Sequence, residues 1–379
     1  MEALGSHQLP DGRLLRRGFT TGTCAAAAAR AAAWMLINKK TIKRVKIDIP
    51  AGIQLELDVL TPESGSFFAS CGIKKDAGDD PDITNGIVVM ARAEYFSQEG
   101  IHLEGGEGVG RVTKPGLSLP VGTSAINPVP REQIKNALED LVSKGEGLKI
   151  TISVPEGEKL AGKTLNSSLG IEGGISILGT SGIVEPMSEE SIKESLVLQI
   201  PVALEEGFNS LVLTPGRRGQ RQAVEVLGFP APSVIQMSNF VGFMLSTCAG
   251  YKVKEVLLCG SLGKLSKVAG GIFHTHSKIA DGRREIIAAN SALEGASQET
   301  INQIMESVTA EGTAKILQEK GLERVFYRLA ERASFRAEKH VQGNLKVGTI
   351  FLSYEGKVLG FDQKAQKMGG RLGCPKIFQ

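Results

Sequence analysis

The sequence predicts a two-part chain of α/β and α+β class: an N-terminal α+β domain with a mixed sheet, then a C-terminal α/β domain built on parallel strands. Three observations carry this. Apolar residues alternate with polar ones in the first half, as in strands with one wet face. The second half has short unbroken apolar runs, as in strands buried on both faces. Each of those runs leads through a glycine loop into a helical pattern.

Residues 18–38 open with the hydroxyls of Thr20, Thr21 and Thr23 around Gly22 and continue as a run that is almost all alanine. Alanine has the best helix propensity and no bulk, so this is a tightly packed buried helix. The threonines supply N-capping oxygens, and the first-turn N–H groups could meet an anion. Val45, Ile47 and Ile49, then Ile53, Leu55, Leu57 and Val59, alternate on either side of Pro50-Ala51-Gly52, which reads as a hairpin. Leu148, Ile150, Ile152 and Val154 form another strand. Between them a helix is expected to follow Pro130, with a stripe of Ile134, Leu138, Leu141 and Val142 and an end at Gly145.

In the second half, SLVLTP (210–215) runs into Gly216 and Gly219 and a helix through Ala223, Val224 and Leu227. EVLLCG (255–260) runs into Gly263 and a helix from about Lys264. Repeated strand, glycine loop and helix indicate a Rossmann-like layer with ligands at the strand carboxyl ends. Residues 283–340 read as largely helical, and 347–362 as a hairpin turning at Glu355-Gly356. The domains are set at 1–195 and 196–379.

Composition narrows the classes. A chain of 379 residues is comfortable for two cores. A formal net charge of +3 argues against a bulk nucleic-acid binder, so no nucleic-acid partner is expected. No stretch approaches the ~20 apolar residues of a membrane span, and the N-terminal stretch lacks the apolar core of a secretion signal. Five scattered cysteines with no CxxC pair read as reduced, buried thiols. The expectation is a cytoplasmic protein without a membrane partner.

Several clusters are candidates for chemistry, each beside a plainer reading. GSLGKLS (260–266) is not a phosphate loop, because Leu258 and Leu265 stand where that pattern needs glycine and a hydroxyl residue. GGEGVG (105–110) is not a dinucleotide fingerprint, since Arg111 takes the last glycine position. It is a turn cluster or, with Arg111 and Lys114, an anion grip. DAGDDPD (76–82) is a solvated acidic turn, or a place where crowded carboxylates raise one another's pKa and Asp79 or Asp80 accepts a proton. His274 and His276 in FHTHS pack or hydrogen-bond a substrate in preference to binding a metal. Arg217, Arg218 and Arg221 stand at a strand mouth, as a basic turn or an anion clamp. SNF (238–240) reads as a helix N-cap at Ser238 or Asn239.

Taken in order, GFTTGTCAAAAARAA (18–32), DAGDDPDITNG (76–86), GGEGVGRVTKPGL (105–117), AINPVPR (125–131), LGIEGGISILGTSGIVEPMS (169–188) and GKLSKVAGGIFHTHSKIADGRREI (263–286) resemble the cobalt-precorrin-5B C(1)-methyltransferase family of the CbiD type. The resemblance covers almost the whole chain. It implies S-adenosylmethionine as co-substrate and methyl transfer to C-1 of a cobalt corrinoid, giving cobalt-precorrin-6A in anaerobic cobalamin synthesis. It also implies a histidine after Gly260, where this chain has Ser261. In-line methyl transfer needs alignment and exclusion of water, not a nucleophilic side chain. A polyacidic macrocycle calls for dispersed anion grips, and Thr20, Thr21, Thr23, Arg111, Lys114, Arg131, Arg217, Arg218 and the pair Lys264 and Lys267 are the candidates. The donor is expected over Thr214, Gly216, Gly219, Gly260, Gly263 and Lys264. Asp79, Asp80, His274 or His276 would take the proton released on methylation. An ATP-dependent phosphotransferase and a non-catalytic tetrapyrrole carrier are the alternatives. A homo-oligomer is left open.

Overall fold

The computed structural model describes residues 4–9 and 12–374. Residues 1–3, 10 and 11, part of the stretch read above for a secretion signal, lie outside the described residues. The chain divides into two compact units, Met1–Glu189 and Glu190–Gln379.

In the first unit the alanine helix spans Thr21–Asn38, and Ala25–Ala29 and Ala31–Ala33 have no exposed surface. It lies on the strands Phe68–Lys74 and Val88–Phe96, whose facing residues include Ala69, Ala91 and Ala93. Small residues on both sides bring the helix close to the sheet, which is why the run is alanine and not leucine. The sheet order is Leu60–Ser64, Phe68–Lys74, Val88–Phe96, Gly147–Ser153, Gly100–Gly105. All neighbours are antiparallel except the last pair, so the sheet is mixed. Arg44–Asp48 and Gln54–Asp58 form the expected hairpin, with Val45, Ile47, Leu55 and Leu57 inward.

The helix expected to run on to Gly145 is shorter: it spans Pro128–Asn136. Arg30 donates to the Ala137 carbonyl at 2.6 Å, the acceptor that Leu141 N–H would need in a continuing helix. Leu141 N–H bonds Leu138 O instead, and the chain leaves in tight turns. Leu138 is buried all the same.

The second unit has a five-stranded sheet in the order Val234–Gln236, Ser210–Thr214, Glu255–Ser261, Lys346–Leu352, Val358–Phe361. The first four are parallel and the last, a hairpin return, is antiparallel. Val212, Leu257, Cys259, Ile350 and Leu352 share a core with Ala223, Phe229 and Ala365, and their sequence neighbours face the other way. Helices Leu262–Ala269 and Arg324–His340 pack together and against Lys346–Leu352. In chain order the strands run 2-1-3-4-5, so the order reverses between Ser210–Thr214 and Glu255–Ser261. Loops at the carboxyl ends of these two strands diverge and leave a crevice, where open α/β sheets bind ligands.

Candidate functional site at the strand ends

That crevice is a cavity of about 440 Å³ in the second unit, lined among others by Gly216, Arg217, Ser261, Lys264, Glu311 and Tyr354. Thr214 ends its strand fully buried, its hydroxyl on Ile235 O, and does not line the cavity, which corrects its reading as a donor contact. Gly216, at φ 147°, turns the chain from strand into the short helix Arg217–Arg221. A π-helical turn, Gln222–Val226, follows. It leaves Gln222 inward, where its Nε2 donates to Tyr354 O at 2.9 Å. Arg218 stacks 3.9 Å from the Tyr354 ring centroid and donates to its hydroxyl at 2.7 Å. Ser261 is the N-cap residue of helix Leu262–Ala269, with no side-chain capping bond. Lys264, one turn on, is half-buried and donates from Nζ to Asn239 Oδ1 at 2.9 Å. Burial, and then the nearby Lys267 charge, push its pKa below the usual lysine value.

Asn239 therefore holds Lys264 and does not cap a helix. The N-cap of Val241–Gly250 is Phe240, without a capping bond, which corrects the reading of Ser238 or Asn239. Lys267 is also no grip. It is buried, and its Nζ donates to Thr275 O at 3.2 Å and Ala280 O at 2.8 Å, pinning the 273–281 loop. On that loop the His274 ring meets Phe240 edge-on at 5.2 Å. His276 Nδ1 accepts Lys278 N–H at 3.1 Å, so the neutral ring carries its proton on Nε2. Among the described residues no three His, Cys, Asp or Glu side chains are grouped to hold a metal ion.

The candidates of the first unit are largely engaged by their own chain. Thr20 caps the alanine helix through Thr23 N–H, as its position suggests. The rest of that helix start is closed, which corrects its reading as an open anion site. Gly22 N–H bonds Leu178 O, Thr21 Oγ1 accepts Leu178 N–H, and Thr23 Oγ1 donates to Gly182 O. All three threonines are buried. The acidic loop is likewise a clamp. Arg16 grips Asp76 with two bonds of 2.6 and 2.9 Å, and that bonding holds the Asp76 carboxyl below the usual range. Asp82 sits 2.6 Å from buried Lys75. Burial pulls its pKa up, but the Lys75 charge and bonds from Lys75 and Thr84 outweigh that and hold it low. The expected upward shift from crowding thus fails at both, because each carboxylate has its own cation. Asp79 accepts Arg16 N–H at 2.7 Å and Asp80 accepts Met187 N–H at 2.9 Å.

Arg131, read as a grip, donates to Ile126 O and Ser124 O and braces the chain entering its own helix. Arg111 Nη1 donates to Gly122 O and its side chain stays exposed. Lys114 lays its stem over Gly170. Gly108 of the GGEGVG cluster, at φ 69°, could not carry a Cβ: the atom would stand 1.8 Å from Val154 O. That cluster serves close backbone packing. The first unit also has cavities, one of about 520 Å³ beside Phe19, Leu57 and Lys75. Size alone therefore does not single out the strand-end cavity; its place at the strand reversal does.

The CbiD profile matches residues 8–186 and the profile of the CbiD C-terminal domain matches residues 274–363. The chain belongs to the CbiD family. A cobalt-precorrin-5B C(1)-methyltransferase of Moorella thermoacetica is 52% identical over 360 residues, covering 95% of this chain and 98% of that protein. A protein of the same name from Alkaliphilus metalliredigens is 47% identical over 360 residues, covering 95% and 96%. A crystal structure of a cobalamin biosynthesis protein (cbiD) from Archaeoglobus fulgidus is 32% identical, covers 71% of this chain and 84% of that one, and superposes with a TM-score of 0.38. Within this CbiD chain, Glu311 and Tyr354 line the cavity and were missed by sequence reasoning, and Asn239, read there as a cap, holds Lys264 from behind. Glu311 and Tyr354 stand alone in a helical stretch and a hairpin turn, with no motif around them.

Proposed function

We propose that this chain is a C-methyltransferase that moves the methyl group of S-adenosylmethionine to C-1 of cobalt-precorrin-5B, giving cobalt-precorrin-6A in cobalamin biosynthesis. The observation that carries the reading is identity of 52% and 47% with proteins of that name over 95% of the chain. The strand-end cavity is where we place the donor. A Rossmann-like α/β unit, taken as residues 196–379 following an α+β unit of 1–195, would place the donor at the strand reversal, over Gly216, Gly219 and Lys264; Gly260, against Pro215 and Leu265, and Gly263, against Ala310, give close packing behind the cavity and do not line it.

The donor supplies an activated methyl on sulfur, and the protein's part is alignment and dryness. Arg217, at the cavity mouth, is the cation of the second unit proposed to meet an acetate or propionate group of the substrate; Arg111 and Lys114, in the first unit, are separate candidates for such a contact. For the released proton, His274, Asp79 and Asp80 stay candidates. His276 is better suited to donate a hydrogen bond from Nε2, because its Nδ1 lone pair is taken by Lys278 N–H. A phosphotransferase is not favoured: the glycine loops lack the phosphate-loop pattern, with Leu258 and Leu265 where it needs glycine and a hydroxyl residue. A pure carrier is not favoured by relatives that are named as methyltransferases.

The test is anaerobic incubation with cobalt-precorrin-5B and methyl-labelled S-adenosylmethionine. The reading expects one label at C-1 and one S-adenosylhomocysteine per product. Corrinoid binding without S-adenosylhomocysteine would replace it with the carrier.

A further inference from the structure

The strand-end cavity holds a charge arrangement that the donor reading does not by itself require. Its cations are Arg217, Arg218 and Lys264, and its acid is Glu311. Arg218 is committed to Tyr354 by stacking and a hydrogen bond. Lys264 is held from one side only, by the neutral Asn239 Oδ1. Burial lowers its pKa, as happens to an ammonium that lacks an anion beside it. Glu311 is exposed and makes no hydrogen bond or ion pair among the described residues; it is felt only as a nearby charge by Arg283. Lys264 and Glu311 thus line one cavity with opposite charges and do not pair with each other.

Such a pair complements a zwitterion. A simple anion would satisfy Lys264 and be repelled by Glu311, and a simple cation the reverse. An α-amino acid offers a carboxylate to one and an ammonium to the other, each as a charge-assisted hydrogen bond. We propose that Lys264 and Glu311 form a zwitterion-reading pair that holds the amino-acid end of the methyl donor, Lys264 taking the carboxylate and Glu311 the ammonium. The nucleoside end then extends toward the exposed Tyr354 ring and the Arg218 plane stacked on it, a surface suited to a purine. The pair fixes which way the donor lies, and so where its sulfonium methyl points. This inference rests on the cavity being the donor site.

The experiment is titration calorimetry on the full chain with two probes. One is S-adenosylhomocysteine; the other is its decarboxylated form, which keeps the ammonium and lacks the carboxylate. Lys264→Gln is expected to weaken S-adenosylhomocysteine about 10- to 100-fold and to leave the decarboxylated probe within about twofold. Glu311→Gln is expected to weaken both probes about 10- to 100-fold. Retained binding of the decarboxylated probe shows that Lys264→Gln folds. Unchanged S-adenosylhomocysteine affinity in either variant, or equal losses of both probes in Lys264→Gln, overturns the pair. Ser261→Trp, which fills the cavity, separates the two levels. If it abolishes both probes while Glu311→Gln changes neither, only the zwitterion pair fails. If both probes bind the Ser261→Trp protein normally, the donor-site reading itself fails.

Discussion

Replacing Asp82 by alanine should cost the first unit more stability than any other single change in its acidic loop. The Lys75 ammonium lies 2.6 Å from Asp82 Oδ2, with the lysine side chain 2% exposed and the aspartate side chain 24% exposed. At an effective dielectric of about 20, two unit charges at that distance attract by roughly 6 kcal/mol, most of which offsets the cost of removing both from water. Taking away the partner strands the other charge, and the burden differs by side. Without Asp82 the Lys75 charge cannot reach water, so Asp82→Ala should cost about 3–5 kcal/mol. Without Lys75 the carboxylate can still hydrate and keeps its two bonds of 2.7 Å from Thr84, so Lys75→Met should cost clearly less. The double variant should be more stable than Asp82→Ala alone. Trp34, the chain's one tryptophan, stands on the alanine helix of the same unit and reports its unfolding in urea. Folding favours the Asp82 carboxylate, since its folded pKa lies below the usual value. The stabilisation is therefore complete above the usual carboxylate pKa and is lost as pH falls through the lowered one. A loss below about 1 kcal/mol for Asp82→Ala, or additive single losses, would refute the reasoning, because a stranded buried charge cannot be that cheap.

Other outcomes follow from the same structure. Ala28→Leu should destabilise by about 1–3 kcal/mol in the same urea assay, since the helix side chain has no surface to escape to and the sheet below is already close. The thiols of Cys24, Cys71, Cys248 and Cys259, pushed up to about 12 by burial, should resist iodoacetamide in the folded chain at neutral pH and react fully in denaturant, read by mass spectrometry. S-adenosylhomocysteine affinity should fall with rising pH earlier than an ordinary lysine would dictate, because Lys264 loses its charge through a lowered pKa. The ligand's own ammonium, read by Glu311, is lost alike in both proteins, so the affinity of the parent relative to Lys264→Arg should fall as pH rises, and a calorimetric pH series on both would show it.

What the sequence disclosed was mostly set by local period and backbone need. The alternation at Val45–Ile49 and the unbroken run at Leu211–Leu213 follow directly from one wet face and from two dry ones, and the hairpin and the parallel strands are there. The Thr20 cap was legible because capping is a three-residue affair. What failed depended on distant partners. The helix stop after Asn136 is imposed by Arg30, 107 residues from the carbonyl it takes. The closed helix start is imposed by Leu178, 157 residues from Thr21. Asp76 and Asp82 looked mutually repelling in sequence, yet each has a cation supplied by another segment or by the adjoining strand end. Glu311 and Tyr354 gave no signal because only the strand order brings a helix start and a hairpin turn to the same crevice.

Photolabelling with a photoreactive analogue of S-adenosylmethionine, followed by peptide mapping, addresses the donor site most directly. The label should fall on peptides containing 214–222, 260–264 or 353–354, and excess S-adenosylhomocysteine should prevent it. Protectable label confined to residues 4–189 would place the donor in the other unit and contradict the account.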